Sequence, residues 1–366
     1  MKIFYIAPSK SIHAERWMRY FADAGHEVHL ITSDAPQINI KNIKVEMLKR
    51  FGPHSPIISH LVNFVAKEFQ FRKLIRTLKP DIIHAHYIMR ATLLGAASGF
   101  HPFVVTVWGS DILVAPKESK ISRFIVKYVL RKTDLITCDG ENMKRAMIKL
   151  GVNSSKIKII YFGVDTRKFI LRPKDEELKN KLEISNSPVI ISLRRLEPLY
   201  DVETLIRCIP FVFKESPQAR FIIAGKGSEE MKLKKIAESL GISDSIRFVG
   251  WIPHNEIVRY LVSSDIYVST SLSDGGIAVS TAEAMACELP VVITDSADNK
   301  KWVKNGKNGF IFSLKDSKVL AEKIIFLLKN ENMRLRFGGV NRKIIEENYN
   351  YYKEMGKMEK IYKELI

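Results

Sequence analysis

The chain is predicted to fold as two α/β domains, each a doubly wound, Rossmann-like sheet of parallel strands. Three observations predict it. Short, near-continuous apolar runs rich in Ile, Val and Phe alternate with helical patterns along the 366 residues, as parallel strands covered on both faces require. The alternation runs through once, pauses in the charged stretch 165–188, and then starts afresh. A hydrophobic content of 46% against 27% charged residues suffices to bury two cores of ordinary size.

The first domain is expected over residues 1–168. Its strands read as KIFYIAP, EVHLITS, KVEML, DIIHAHY, FVVTVWG, DLITCD and KIKIIYFG. Between them, apolar residues recur every three or four positions over 15–24, 61–78, 121–131 and 141–150, which predicts helices. The most apolar long stretch, 91–108, is broken by Gly95, Gly99 and Pro102 and so reads as helix, turn and strand, not as a membrane span. The second domain is expected over residues 169–345. Its strands are PVIISLRRL, ARFIIAG, IRFVGW, DIYVSTS, PVVITD and GFIFS, with helices over 202–214, 229–240, 256–263, 281–287 and 317–328. The last stretch, 346–366, is an amphipathic helix expected to pack back on the first domain.

The three cysteines, Cys138, Cys208 and Cys287, have neither disulfide-framework nor metal-ligand spacing, and they fit a reducing cytoplasm. MKIFYIAPSK reads as a strand and predicts no signal peptide. The net charge of +18 is uneven: residues 1–168 hold 27 Lys and Arg against 13 Asp and Glu, the remainder 31 against 27. This asymmetry predicts either an anionic surface, acceptor or polymer for the first domain, or lysine-rich solubility alone. LVNFVAKEFQFRKLIRTLK and ISRFIVKYVLRK combine apolar faces with Lys and Arg. They suit an anionic membrane surface, or a helix packed on its sheet with a solvated face. A basic nucleic-acid-binding protein is disfavoured, because no recognised module or basic-aromatic stripe is present. A dehydrogenase is disfavoured too, since no GxGxxG follows the first strand.

In such sheets a ligand belongs at the carboxyl ends of the strands, here in a cleft between the domains. Five loops at strand ends collect unusual residues: PSKSIHAERW, WGSD, FGVD, RRLEPLYD and the start of SLSDGGIAVSTAEAMACELPVV. In the last of these, Gly275 and Gly276 let backbone approach a ligand, and the following helix start presents unpaired N–H groups suited to phosphate. Glu283, one to two turns in, is placed to accept hydrogen bonds from sugar hydroxyls. A capped helix between a loop and a core strand explains the same residues without a ligand.

The series IIYFGVDTRKF, SLRRL, IIAGKG, FVGWIP, DIYVSTSLSDGG, AEAMAC and LPVV, with GHEVHLIT and PDIIHAHY before it, resembles the family 4 glycosyltransferases, retaining enzymes of the GT-B fold. The resemblance implies transfer of a sugar from a nucleotide sugar, UDP-linked by family frequency, to a glycan or lipid-linked acceptor, without metal or other cofactor. It implies that Glu283 holds the ribose, that Val279 and Ser280 meet the diphosphate through backbone N–H groups, and that Gly276 and Ile277 face the sugar. Arg195 corresponds to the arginine that neutralises the leaving diphosphate, and Gly163 joins the donor-binding set. Asp111 of WGSD is expected to touch donor sugar or acceptor, or else to form the turn; His13 and Trp108 are expected on the acceptor side.

The departures are specific. The first of the family's two glutamates would fall on Gly275, so either the loop carries one extra residue and Asp274, one position further back, replaces it in the catalytic set by contacting the sugar, or the first acid has been lost. The phosphate-binding lysine falls on Tyr200, leaving Arg194 or Lys226 as the second cation. Glu288 stands where a glycine is usual, and Trp108 where a histidine is common. A nucleotide-sugar epimerase would share the two-domain cleft but needs acids and bases on both faces of the sugar, a set the sequence lacks.

Overall fold

The computed structural model describes residues 1–9, 11–34, 42–49, 58–88, 91–274 and 276–366. The chain divides into two compact units, Met1–Phe162 with Lys353–Ile366, and Gly163–Tyr352.

The first unit is built on seven strands: β1 (Lys2–Ile6), β2 (Glu27–Thr32), β3 (Ile43–Met47), β4 (Ile82–His86), β5 (Phe103–Thr106), β6 (Leu135–Cys138) and β7 (Ile157–Ile159). All pair in parallel, in the order β3-β2-β1-β4-β5-β6-β7. The direction of winding reverses between β1 and β4, which defines a switch point at their carboxyl ends. Helices Ile58–Leu78, Thr92–Ser98 and Lys120–Lys132 cover one face over Phe4, Ile83, Phe103, Val105 and Ile136. Gly95 permits this approach: a Cβ there would stand 2.5 Å from the Phe103 ring.

The second unit has six strands: β8 (Val189–Leu193), β9 (Arg220–Ala224), β10 (Ile246–Gly250), β11 (Ile266–Ser269), β12 (Val291–Thr294) and β13 (Gly309–Phe312). They are likewise parallel, in the order β10-β9-β8-β11-β12-β13, with the switch point between β8 and β11. Each sheet is therefore doubly wound, and every expected strand is present.

Two elements differ from expectation. Helix Glu331–Asn348 carries Gly338 and Gly339 mid-way, which hides its helical character in the sequence. Gly338 is there for packing, since a Cβ would lie 2.0 Å from the Glu288 carbonyl oxygen. The final stretch is not one helix from 346. It breaks at Tyr349–Asn350, where the Val164 N–H bonds to the Tyr349 carbonyl at 2.8 Å and the Tyr351 N–H to the Val164 carbonyl at 3.0 Å, and resumes as Tyr351–Leu365. Near its end Tyr362 is buried, its hydroxyl bonded to His84 Nδ1 and 3.1 Å from that of Tyr5.

Candidate active site

The loops leaving β8 and β11 meet at the second unit's switch point. Arg194 follows β8 directly and turns inward, stacked over the Tyr200 ring at 4.5 Å. Its Nη2 lies 2.5 Å from Asp274 Oδ1 and 3.3 Å from Ser271 Oγ. The pair is nearly enclosed, with side chains 8% and 12% exposed, and the Asp274 charge raises the Arg194 pKa against the opposing effect of burial. Arg195 takes the opposite course: it is 72% exposed and, among the described residues, in contact with Glu197 at 3.4 Å. Two proposed cations thus part company. Arg194 is committed to the loop that carries Asp274, and Arg195 is free to meet an incoming anion.

The AGKG turn after β9 brings Lys226 to the same end. A Cβ on Gly225 would sit 2.1 Å from the Arg194 carbonyl oxygen, and one on Gly227 2.1 Å from that of Leu196. The two loops run backbone to backbone through the Leu196 N–H to the Lys226 carbonyl, 3.1 Å, and the Glu229 N–H to the Leu196 carbonyl, 2.9 Å.

Gly275 lies outside the described residues. Gly276 has φ 121°, a left-handed geometry that suits glycine, and Ile277 buries its side chain, anchoring the loop. Helix Val279–Ala286 starts at Ala278 without a side-chain cap, so its first N–H groups have no helical acceptor. The Ser280 hydroxyl is 2.8 Å from that of Tyr267. Glu283 is 3% exposed, and its Oε1 lies 2.8 Å from His254 Nε2. Lys168 Nζ in turn donates to the His254 carbonyl at 2.9 Å. Gly163 serves packing: a Cβ there would lie 2.5 Å from Tyr351 Cα.

In the first unit, His13 is not in a loop but in the first turn of helix Ile12–Asp23, which Ser11 caps by accepting from the Ala14 N–H at 3.3 Å. Its ring stacks on Phe162 at 4.7 Å and stands edge-on to half-buried Trp108 at 5.7 Å. Trp17 is core. Asp111 is fully buried, and its carboxylate accepts from the backbone N–H groups of Ile88, Trp108 and Gly109 at 3.0, 3.1 and 2.9 Å. Of the two roles expected for it, substrate contact or turn formation, these bonds serve the turn, because a buried carboxylate takes the nearest donors. Burial raises its pKa to about 6 despite those bonds.

Residues 174–344 match the family model described as Glycosyl transferases group 1, and residues 2–140 the one described as Glycosyl transferase 4-like. The chain belongs to the group 1 glycosyltransferases. An uncharacterized glycosyltransferase of Methanocaldococcus jannaschii is 27% identical over 256 residues, 68% of this chain and 64% of that protein's own length. The N-acetyl-alpha-D-glucosaminyl L-malate synthase of Bacillus anthracis is 23% identical over 95% of this chain and 92% of its own. HepE of Anabaena, solved in complex with UDP, superposes with a TM-score of 0.85 at 20% identity over the whole of both chains, a likeness that shows the GT-B fold.

This group 1 glycosyltransferase holds three candidate-site residues that the sequence pattern did not single out, His254, Tyr267 and Ser271. His254 is the only histidine after residue 101, and it sits in IPHNE, a loop at the carboxyl end of β10. Position alone could have found it. Tyr267 and Ser271 were hidden, because a strand tyrosine and a loop serine carry no signal until the neighbouring loop is placed.

Proposed function

We propose that this glycosyltransferase moves a sugar from a UDP-sugar to a hydroxyl of a glycan or lipid-linked acceptor, with net retention at the anomeric carbon. The observation that carries it is the exposed Arg195 at the second switch point, beside an uncapped helix start and the buried Glu283. In this reading Glu283 takes the ribose hydroxyls, and the N–H groups of Val279 and Ser280 receive the diphosphate. Arg195, supported by Lys226, neutralises the charge that builds on the leaving diphosphate as the glycosidic bond breaks. Asp274, oriented by Arg194, and the backbone at Gly276 and Ile277 hold the donor sugar. Retention on one face needs no enzyme base, because the leaving phosphate oxygen can take the acceptor proton. The complexes of HepE with UDP and UDP-glucose favour UDP as the nucleotide.

The first unit would receive the acceptor, with His13 and Trp108 on that side and Asp111 holding the Trp108 turn. A cytoplasmic enzyme working beside the inner face of a membrane fits the basic first unit. Thermal-shift measurement with UDP, GDP, ADP and their common sugars tests the donor assignment: UDP or a UDP-sugar should stabilise most, without added metal. Arg195→Ala should then lose about a hundredfold in turnover with little change in melting temperature. Normal turnover in that variant contradicts the assignment.

A further inference from the structure

His84 and His86 are successive inward residues of β4, both fully buried, and they are treated in opposite ways. His84 is served on both sides: Nε2 meets the Thr106 hydroxyl at 2.7 Å and Nδ1 meets Tyr362. His86, one step nearer the carboxyl end, has no hydrogen-bond partner at either ring nitrogen among the described residues. Beside it, the indole N–H groups of Trp17 and Trp108 are equally buried and unserved. Trp17 stands edge-on to His86 at 5.0 Å between ring centroids, and Trp108 at 6.0 Å. An unserved buried donor or acceptor costs about 1–3 kcal/mol, and here four such atoms gather in one place. That place is the carboxyl end of β4, beside β1, at the first sheet's switch point.

The chemistry of the cluster is defined. Burial keeps His86 neutral, with its pKa lowered to about 3. It therefore offers one N–H and one lone pair, beside two indole N–H groups. The nearby Asp111 carboxylate is already taken by three backbone donors. A hydroxyl, which both donates and accepts, satisfies such a set; an anion would face the imidazole lone pair. Trp108 is half-buried, with the His13 and Tyr87 rings each 5.7 Å from it, and an aromatic ring of this kind suits the C–H face of a sugar.

We propose that His86, Trp17 and Trp108 form a hydroxyl-binding subsite that takes a neutral sugar ring of the acceptor, with Trp108 as its platform. Naming the ligand an acceptor rests on the transferase reading; the preference for neutral hydroxyls over an anion does not. The test uses the full chain labelled with 15N, whose four tryptophans give four indole N–H resonances. Trp108→Phe and Trp17→Phe assign two of them. Methyl α- and β-glycosides of glucose, galactose, mannose and N-acetylglucosamine are titrated in, with inorganic phosphate and L-malate as anionic counterparts. At least one glycoside should shift the Trp108 and Trp17 resonances saturably, and Trp108→Phe, which keeps the packing but removes the donor, should weaken that binding at least fivefold. His86→Phe should weaken it further. If no glycoside moves these resonances, or the anions move them as strongly, the proposal is overturned. UDP titrated into the same samples separates the two readings. UDP binding without a glycoside response sinks the subsite alone, and a glycoside response without UDP binding sinks the donor assignment alone.

Discussion

Glu283 shows how a single side chain is made ready: the helix carries it inward, and His254 Nε2 fixes one oxygen at 2.8 Å. If Glu283 takes the ribose hydroxyls as proposed, Glu283→Gln should weaken UDP binding by about 1.5–3 kcal/mol in a calorimetric titration, because it removes the charged acceptor. His254→Ala should weaken it less and His254→Gln should restore most of the loss, since the histidine only positions the carboxylate. Unchanged affinity in Glu283→Gln would reduce that residue to a helix position. Asp274 demands a different design, because it shares an enclosed ion pair with Arg194. Removing one partner of a buried pair strands the other charge and costs about 3–5 kcal/mol. Asp274→Asn should therefore lose both stability and transfer, and adding Arg194→Met should recover stability measured by urea unfolding but not transfer. Recovery of both would leave Asp274 a purely structural partner. Glu288, noted in the sequence as standing where a glycine is usual, has φ 62°. Its left-handed backbone explains the usual glycine, and Glu288→Gly should raise stability by about 0.5–1 kcal/mol.

Among the elements, the strands were legible because each is a short apolar run with turn residues at both ends. Helix Glu331–Asn348 was not, because two glycines interrupt its pattern, and Gly338 answers to Glu288 across the unit and not to helix propensity. The break at Tyr349–Asn350 depends on Val164, almost two hundred residues away, and no local pattern could announce it. In the site, Arg195 and Glu283 stood out by motif, while the commitment of Arg194 to Asp274 and of Asp111 to backbone required the loops to be placed. The turn after β5 makes a pH prediction. Folding raises the Asp111 pKa from 3.8 to about 6, so the folded chain keeps a proton that the unfolded chain has released. Its contribution to stability therefore falls as pH rises from about 4 to about 6 and is level on either side. The stability difference between the wild type and Asp111→Asn should shrink over that window in urea unfolding; a constant difference contradicts the assignment. Helices Ile58–Leu78 and Lys120–Lys132 both start at the carboxyl end of the first sheet, and Val65 and Phe69 on the one and Ile121 and Phe124 on the other are exposed. With Arg123, Lys127 and Arg131 exposed beside them, these faces suit anionic lipid. Flotation should show binding to vesicles containing phosphatidylglycerol, release by salt, and loss in Phe124→Ser with Ile121→Ser; equal behaviour with neutral vesicles would end the membrane proposal.

At the scale of the whole molecule, two sheets of the same winding carry different equipment at their switch points. The second gathers an exposed arginine, a lysine, an uncapped helix start and a buried glutamate, a set suited to a diphosphate and a ribose. Among the described residues, the first gathers the neutral rings of His86, Trp17 and Trp108 and a carboxylate spent on backbone. Among the described residues no helix is long and apolar enough to cross a membrane. The central claim is retaining transfer from a nucleotide sugar, and its most direct measurement is a proton NMR time course. The chain is incubated with α-linked UDP-sugars and the methyl glycoside panel, and the anomeric protons are followed as UDP appears. The first product to form should carry the sugar in the α configuration, and Arg195→Ala should slow its appearance about a hundredfold. A β-configured first product, or no consumption of any UDP-, GDP- or ADP-sugar, would contradict it.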